Sequence, residues 1–574
     1  MSATATARYT ERTRASAPDL GYFRQHYPAT VASFGTLPRR EEWLRRVWET
    51  EERWRSALGA NGHAEEVIVR GAPPAGREAE GRFDVIYAGG TLGLLHASAL
   101  ACRHGRRVLV FDEGEVGRAG RGWNVSDEEL KEFERAGLLS AEEIESAVVN
   151  RYDAGFVKFH DAASRVKADP LWVSGVMDVA VDAERLFELA AGKLRRRKGC
   201  AIEGGLRFVR AYVEPHRVTV ETEDVRRGGR RRLFAARLFV DAGGGDSPVA
   251  RQVRGGRPVT HVCPTVGTVA RGYARGEGPD KVDFNAGELL VSTEDASDHR
   301  QLIWEGFPGH PARGEYAACL FFHDAADSPA DKSLLSLFER YFETLPAYKR
   351  PGAQWRVERP VFGYAPSTRR QKWRGRERRA DERVMLVGEA LGQSNAWAFG
   401  GEGGHLRALH RQTHLLHLAL EADMLDADSL AAVSDFGPRG ARMNALAEFM
   451  RPTPKGAPSA VNETLNAVMA ALHGLDERVR RQLLQDRMTP GALKSLLART
   501  VKLYPRILAR VREHLGARGT LCWIADLADE FWSERRGRTA AAGGAGGAED
   551  RAADAAGEFA RRVALYKNGR GAEG

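Results

Sequence analysis

The chain has 574 residues, 43% hydrophobic and 28% charged, a balance that fits folded domains and excludes a wholly disordered protein. Its net charge is +9, but the basic residues are spread along the chain, which argues against a nucleic-acid-binding protein. The five cysteines form no CxxC pair, so we expect a reducing compartment, no disulfide framework and no metal site. No run approaches the ~18 apolar residues of a membrane-spanning helix, and the first residues lack an apolar leader, so we expect a cytoplasmic protein.

Changes in composition divide the chain into segments. At roughly 150 residues per domain, the length fits several domains or one large α/β body with insertions. Residues 1–18 are predicted to be disordered, residues 19–60 to be a short helical region, and residues 61–82, rich in glycine, proline and alanine, to be a linker. Residues 421–535 predict helices, and the low-complexity residues 536–574 predict a tail that buries no core.

Residues 83–117 predict a nucleotide-binding βαβ unit. The apolar strand DVIYA leads into a turn that contains Gly89, Gly90 and Gly93, a helix follows, and the strand VLVF ends at Asp112. Small residues let the main chain approach a pyrophosphate, which the free amides at a helix N-terminus can bind, and an acid at the end of the second strand accepts hydrogen bonds from ribose hydroxyls. The alternative is a strand–turn–helix connection without a ligand.

Two later segments extend the predicted site toward a flavin. A predicted meander over residues 206–243 ends in DAGGGDSPVAR, and a strand over residues 384–387 leads into Gly388-Glu389 and a glycine run that opens a helix. In this order the three elements resemble those of FAD-dependent hydroxylases, with Glu389 where an aspartate is usual. The resemblance implies FAD as cofactor, with the positive end of the last helix next to the flavin. The contacts it implies in these two segments are Asp241, Gly243, Gly388, Glu389, Gly400, Gly401, Gly403 and Gly404.

Other stretches are not typical of flavoproteins in general: GRAGRGWNVSDEELKEFERAGLLSAEEIES, VGTVARGY, LIWEGFP, FERYFETLPAY and SNAWAFGGEGG. Together they resemble the CruA-type bacterial lycopene cyclases, which are FAD-containing carotenoid enzymes, over most of the chain. The resemblance implies redox-neutral cyclisation of a lycopene-like end group with reduced FAD bound. Gly122, where an acid is expected, and Glu402 and His405 beside the flavin depart from the pattern, which implies a changed substrate or the loss of cyclase activity. His405 is a candidate to orient the flavin or act as a base, or simply caps a helix.

The implied fold is α/β, with a Rossmann-like parallel sheet of the p-hydroxybenzoate hydroxylase type, a mostly antiparallel substrate domain and a helical C-terminal region. Residues 83–255 and 361–420 would form the FAD-binding domain, and residues 116–180 and 256–360 the substrate-domain segments. We find no second glycine-rich fingerprint for a nicotinamide nucleotide, so an external electron donor is expected. Residues 492–515 have a basic amphipathic pattern that fits either a membrane-surface helix or a helix pair packed on the FAD domain.

Cyclisation requires an acid that stays protonated in a dry, apolar pocket. In RQLIWEGFPG the strand period places Ile303, Glu305 and Phe307 on one face. Leu302 and Trp304 fall on the other face, and apolar neighbours should raise the pKa of Glu305. Glu305 is therefore the candidate catalytic acid, and a salt-bridged strand residue is the alternative. Aromatic faces stabilise cations. The residues predicted to line a polyene channel, or otherwise to pack in the core, are Trp123, Asn124, Trp304, Phe307, Trp397 and Phe399.

Two other function classes stay open. One is a redox enzyme, either a flavin monooxygenase or a polyprenyl double-bond reductase. Among redox flavoenzymes, a flavin halogenase is disfavoured because the WxWxIP motif of that class is absent. The other is a non-catalytic protein that binds flavin or carotenoid, which the departures at Gly122 and Glu389 make conceivable.

Overall fold

A computed structural model describes most of the chain. The described residues are 17–59, 66–118, 120, 122–276, 278–368, 378–393, 395, 397, 401–435, 443–453, 455–543 and 555–568. The predicted disordered segment 1–18 therefore lies almost wholly outside the described residues, as do Phe399 and Gly400.

The helices, numbered in chain order, are α1 Leu20–His26, α2 Pro28–Ser33, α3 Arg40–Gly59, α4 Leu92–His104, α5 Asp127–Arg135, α6 Ala141–Glu145, α7 Ala183–Arg195, α8 Pro248–Val253, α9 Leu334–Tyr348, α10 Gly401–Glu421, α11 Ala427–Ser434, α12 Ala460–His473, α13 Glu477–Leu484, α14 Pro490–Leu503, α15 Ile507–Gly543 and α16 Ala555–Asn568. Short 3₁₀ turns lie at Phe34–Thr36, Pro311–Arg313, Gly388–Leu391 and Met443–Met450.

The strands are β1 Ile68–Arg70, β2 Gly81–Arg82, β3 Val85–Ala88, β4 Val108–Asp112, β5 Trp123–Val125, β6 Val148–Arg151, β7 Ala154–Lys158, β8 Leu171–Val173, β9 Val179–Val181, β10 Ala201–Gly204, β11 Leu206–Glu214, β12 Arg217–Asp224, β13 Arg230–Ala236, β14 Leu238–Asp241, β15 His261–Tyr273, β16 Ala286–Val291, β17 Ile303–Pro308, β18 Tyr316–Phe321, β19 Asp324–Ala325, β20 Pro351–Ser367, β21 Ala380–Asp381 and β22 Val384–Leu386.

A six-stranded sheet in the order β10-β4-β3-β14-β22-β21 carries the predicted nucleotide site. All of its strand pairs are parallel except the one with the edge strand β21. The chain proceeds from β3 to one side of the sheet and later returns to the other side, so the strand order reverses between β3 and β14. Open α/β sheets bind ligands at the carboxyl ends of their strands at such a switch point.

Helices α4, α7 and α10 cover one face of this sheet, in a core that includes Leu95, Phe187 and Leu409. A second core lies between the other face and a five-stranded sheet in the order β1-β11-β12-β13-β2. The predicted linker 61–82 thus contributes β1 and β2 to this sheet. The predicted meander is present as β11, β12 and β13, which pair antiparallel before the chain enters β14.

The substrate-domain sheet follows the order β19-β15-β18-β17-β16-β7-β8, and the long strand β20 pairs with β15 outside this path. Most of its pairs are antiparallel, and β7–β16 is parallel. Helix α9 and the N-terminal helices cover one face. The other face packs against the C-terminal helical region through residues such as Ile303, Leu465 and Leu496. A small sheet, β5-β9-β6, lies beside the first core.

The C-terminal helices differ from the predictions in two respects. Helix α16 lies in the predicted low-complexity tail, yet its Phe559 is buried against the first core because Phe559, Val563 and Tyr566 form an apolar stripe at helical spacing. Helix α14 packs Leu493 and Leu496 into the core beneath the substrate sheet, so that this helix lies against the substrate domain and not on the FAD domain. No described helix is long and apolar enough to cross a membrane.

Candidate functional site

The glycine-rich turn after β3 is held against the end of β14. Gly89 has φ +113°, and a Cβ atom there would lie 2.3 Å from the carbonyl oxygen of Ala242. A Cβ on Gly93 would meet the Ala242 methyl at 3.1 Å. The amide of Ala242 in turn donates to the carbonyl of Ala88 over 2.7 Å. Gly89 is therefore required by close approach of the main chain at the switch point, whereas Gly93 gives α4 a tight fit against the Ala242 side chain.

Helix α4 begins directly after this turn. Its N-cap residue Thr91 makes no side-chain capping hydrogen bond, so side chains leave the first amides of the helix available to a ligand. Asp112 ends β4 beside the turn, as predicted from the spacing. Its Oδ2 accepts from the Gly90 amide over 2.7 Å and its Oδ1 from the Gly114 amide over 2.8 Å. Each carboxylate oxygen has a second lone pair, which can accept from a ribose hydroxyl.

Asp241, the last residue of β14, binds the loop that follows it. Its Oδ1 accepts from the Gly243 amide over 3.0 Å and its Oδ2 from the Ser247 hydroxyl over 2.6 Å, and Ser247 also caps α8. The side chain is 2% exposed. Burial raises the pKa of its carboxyl to about 6, although the hydrogen bonds from Ser247 and Gly243 act to lower it. The structure thus gives Asp241 a positioning role for the Gly243 loop, and its predicted direct contact with a cofactor remains a prediction.

The third predicted element lies opposite the turn. Gly388 has φ +67°, and a Cβ atom there would approach the Leu92 side chain to 3.1 Å. The exposed side chain of Glu389 follows at the end of β22. Gly401 is the first residue of α10, and among the residues that the structure describes, no atom beyond its own helix lies within 4 Å of where its Cβ would project. The structure therefore brings the N-termini of α4 and α10 to the same end of the sheet.

Gly403 and Gly404 are buried on the first turn of α10. A Cβ on Gly403 would lie 2.4 Å from a carboxylate oxygen of Glu129, which caps α5 and forms a buried ion pair with Arg407. Gly403 is therefore explained by contact with another helix. On the same turn, burial lowers the pKa of His405 to about 4, so the imidazole is neutral near pH 7.

A cavity of about 840 Å³ opens beside these elements. Glu389 and Glu402 lie at one part of its wall, and Thr265, Val361 and Gly363 of the substrate sheet at another. Its position between the α10 N-terminus and the sheet makes it the candidate binding site for the reacting part of a ligand. Within the described part of the chain, no group of three or more histidine, cysteine or acidic side chains is arranged to hold a metal ion.

Glu305 lies on β17, 2% exposed, with its predicted face partners Ile303 and Phe307 in the core beneath the C-terminal helices. Its register partner on β18 is Cys319, which pairs in turn with Gly267 on β15. Cys263 lies four residues before Gly267 on β15, so its side chain shares the face of Glu305, and burial raises the pKa of its thiol. The same face carries Thr265 at the cavity wall, two strands across the sheet and two residues along it from Glu305, or about 12 Å.

The predicted channel residues do not form one group. Trp304 points to the opposite face of the sheet from Glu305, as the strand period predicts, and stacks on Tyr348 at 4.4 Å beneath α9. The reason is the alternation of side chains along β17. Core packing, the alternative that the sequence left open, describes its surroundings. Phe307 and Trp397 both belong to the core beneath the C-terminal helices, the core that Ile303 also enters.

Trp123 and Asn124 lie elsewhere, on β5. Trp123 packs edge-to-face against Phe187 at 5.3 Å in the core of the nucleotide-binding half. Asn124 accepts a hydrogen bond from the Tyr152 hydroxyl over 2.6 Å. Core packing, the alternative that the sequence left open, therefore describes Trp123.

Sequence reasoning missed part of the cavity wall. Trp43, Arg46, Thr50 and Arg53 on α3 line the cavity, as does Arg359 on β20. The four α3 residues recur at helical spacing and form one face of the helix. That spacing could have indicated from the sequence that they line a common surface. Their contact with β20, some three hundred residues later in the chain, carries no local signature.

No protein-family model matches the chain, and no curated protein sequence matches it. Solved structures do. The chain is similar to halogenase PltM, with a TM-score of 0.54 at 13% identity over 79% of this chain and 97% of that one. It is also similar to a flavoprotein/dehydrogenase from Cytophaga hutchinsonii, with a TM-score of 0.50 at 13% identity over 75% of this chain and all of the other. At this identity the similarity shows the fold, and the chain has the hydroxylase-like flavoprotein fold predicted from its three glycine-containing elements.

Proposed function

We propose that the chain is an FAD-dependent enzyme that cyclises the end group of a lycopene-like polyene without net redox change. The observation that carries the FAD assignment is the glycine turn at the switch point, where Gly89 leaves no room for a side chain and Gly93 packs tightly against Ala242. The uncapped N-terminus of α4 supports binding of a pyrophosphate, and Asp112 supports binding of a ribose. The N-terminus of α10, whose positive dipole end favours a reduced flavin, supports binding of the flavin ring.

The acid assignment rests on the burial of Glu305. A carboxyl group that is 2% exposed, on a face shared with Ile303 and Phe307, meets the need for a proton donor screened from water. Across the sheet, the register partners Cys319 and Gly267 follow Glu305 toward β15, the strand that carries Thr265 at the cavity wall.

In the proposed reaction, Glu305 donates its proton to the terminal double bond of the polyene. The next double bond attacks the tertiary cation, a ring closes, and loss of a proton from a ring carbon gives a product isomeric with the substrate. Phe307 and Trp397 present aromatic faces in the same core, worth roughly 0.5–2 kcal/mol each toward a desolvated cation. When bound, reduced FAD supplies electron density that favours positive charge nearby.

Glu305→Gln tests the assignment because it keeps the shape of the side chain and removes the acidic proton. We expect turnover of lycopene by the FAD-loaded, reduced protein to be lost, while flavin absorbance and the circular-dichroism spectrum stay unchanged. The control is Glu288→Gln, another buried carboxyl of the same sheet, which faces the opposite side and pairs with Lys349. Turnover per folded molecule should persist in the control. Full activity of Glu305→Gln would discard the acid assignment.

A flavin-dependent redox reaction, by a monooxygenase or a double-bond reductase, is the second candidate. The observation that favours it is the set of arginines on the cavity wall, Arg46, Arg53 and Arg359, since a pure hydrocarbon gives them no partner. Mass spectrometry of the product separates the candidates. An unchanged mass supports cyclisation, one added oxygen supports a monooxygenase, and two added hydrogens support a reductase.

A further inference from the structure

The cavity of about 840 Å³ is bounded on one side by helix α3. Trp43, Arg46, Thr50 and Arg53 line it from one face of this helix, and Arg359 lines it from the edge strand β20. On β20 the side chain of Arg359 alternates with Pro360, so it shares the sheet face of Val361 and Gly363. The cavity therefore has a cationic wall that is built from two distant parts of the chain.

These three arginines differ from most others in the protein because, among the residues that the structure describes, none of them has a carboxylate partner. The Arg46 guanidinium lies 4.4 Å over the Trp43 ring, and Arg53 reaches only the Thr50 hydroxyl, over 3.4 Å. The Nε of Arg359 is buried without a hydrogen-bond partner. A guanidinium without a partner in a concave site is an available donor for an anion, and the planar fork suits phosphate oxygens.

Arg118 on the same cavity shows the contrast. It is ion-paired with Glu115 and Glu184, so its charge is compensated within the protein. The α3 and β20 arginines instead leave an uncompensated positive potential in a cleft with low-dielectric walls, which concentrates anions there.

The arginines without carboxylate partners lie on the α3 and β20 parts of the cavity wall, whereas Glu402 lines the cavity from the start of α10. The phosphate of a ligand is therefore favoured at the α3–β20 side. Val361 and Phe362 lie on the wall as well and give an uncharged portion apolar contact.

We propose that the α3–β20 cavity binds the phosphate groups of a second organic ligand, which is distinct from the flavin and has an uncharged portion that extends toward the α10 N-terminus. Two sources share this chemistry: a reduced nicotinamide dinucleotide, which would serve as an electron donor to the flavin, and an isoprenoid diphosphate. The site does not depend on the proposed cyclisation, because the arginines and the cavity are present whatever reaction is catalysed.

The test is calorimetric titration of the FAD-loaded protein with three probes: NADPH, farnesyl diphosphate and inorganic pyrophosphate. We expect one of the two organic phosphates to bind, with an affinity that falls as salt is raised. Arg46→Gln and Arg53→Gln, at exposed positions that do not threaten folding, should each weaken that binding at least tenfold, and Arg359→Gln should do the same. Arg45→Gln, an exposed neighbour on α3 that does not line the cavity, is the matched control and should change nothing.

The choice between NADPH and farnesyl diphosphate identifies the source. The proposal fails if neither organic phosphate binds, if pyrophosphate alone binds, or if Arg45→Gln weakens binding as much as the cavity variants. It also fails if the cavity variants lose FAD but keep the added ligand, because the arginines would then serve the flavin. FAD content is read from the visible absorbance of each variant, so failure of the flavin assignment and failure of the second site are distinguishable.

Discussion

Replacing Gly89 by alanine should destabilise the nucleotide-binding half and abolish FAD retention. At φ +113° an alanine is in a backbone region that costs L-residues roughly 1–2 kcal/mol. Its Cβ would also lie 2.3 Å from the carbonyl oxygen of Ala242, and relief of such crowding by shifts of the main chain costs roughly 1–3 kcal/mol. The total is about 2–5 kcal/mol, and the shift displaces the turn that α4 presents to the pyrophosphate.

Gly105→Ala separates the two contributions. Gly105 ends α4 at φ +67° with no atom within 4 Å of its missing Cβ, so alanine there meets backbone strain without a clash. Its cost should stay near 1 kcal/mol, with FAD retained. Urea unfolding of both variants gives the free energies, and visible absorbance after dialysis gives the flavin content. The reasoning is refuted if Gly89→Ala keeps its flavin and loses no more stability than Gly105→Ala.

Two further predictions concern buried residues. Burial lowers the pKa of His96 and of His323 to about 3, so as the pH falls below about 6.5 the unfolded chain binds protons that the folded chain does not, and the free energy of unfolding should drop by about 2 kcal/mol per histidine at pH 5. Urea unfolding at pH 7 and pH 5 measures the drop, and His96→Gln should make it smaller, whereas an equal drop in that variant would contradict the assignment. Trp304→Ala should lower the free energy of unfolding by about 3–5 kcal/mol and leave turnover per folded molecule intact. Phe307→Ala, on the face of Glu305, should reduce turnover as well, and equal effects of the two variants on turnover would contradict the separation of faces.

The nucleotide-binding half was largely predictable because its constraints are local. Gly89 and Gly93 are required by a turn only a few residues long, and Asp112 follows from a strand of fixed length after a helix that Gly105 ends in the left-handed conformation. Each of these features depends on residues that lie close together in the sequence, so a short stretch is enough to predict it. The parallel order of the sheet then follows from the strand–helix–strand connections.

The cavity wall was not predictable in the same way. Helix α3 has an apolar face, with Leu44, Val47 and Trp54 buried, so the sequence indicates that it packs on something. Nothing local says that its partner is the sheet edge at β20. The small apolar stripe of α16 was hidden for a different reason, because the low-complexity residues before it dominate the composition of the tail.

The strand period predicts the two faces of β17 from the sequence alone. The alternation that puts Glu305 with Ile303 and Phe307 also puts Trp304 on the other face, and the structure has this alternation, with Trp304 stacked on Tyr348 under α9. A channel on one face of the sheet therefore cannot contain both Trp304 and Glu305. If the sheet face is the relevant surface, then the groups that act with Glu305 must come from its own face, and Cys263, Cys319 and Phe307 are the places to look for altered turnover.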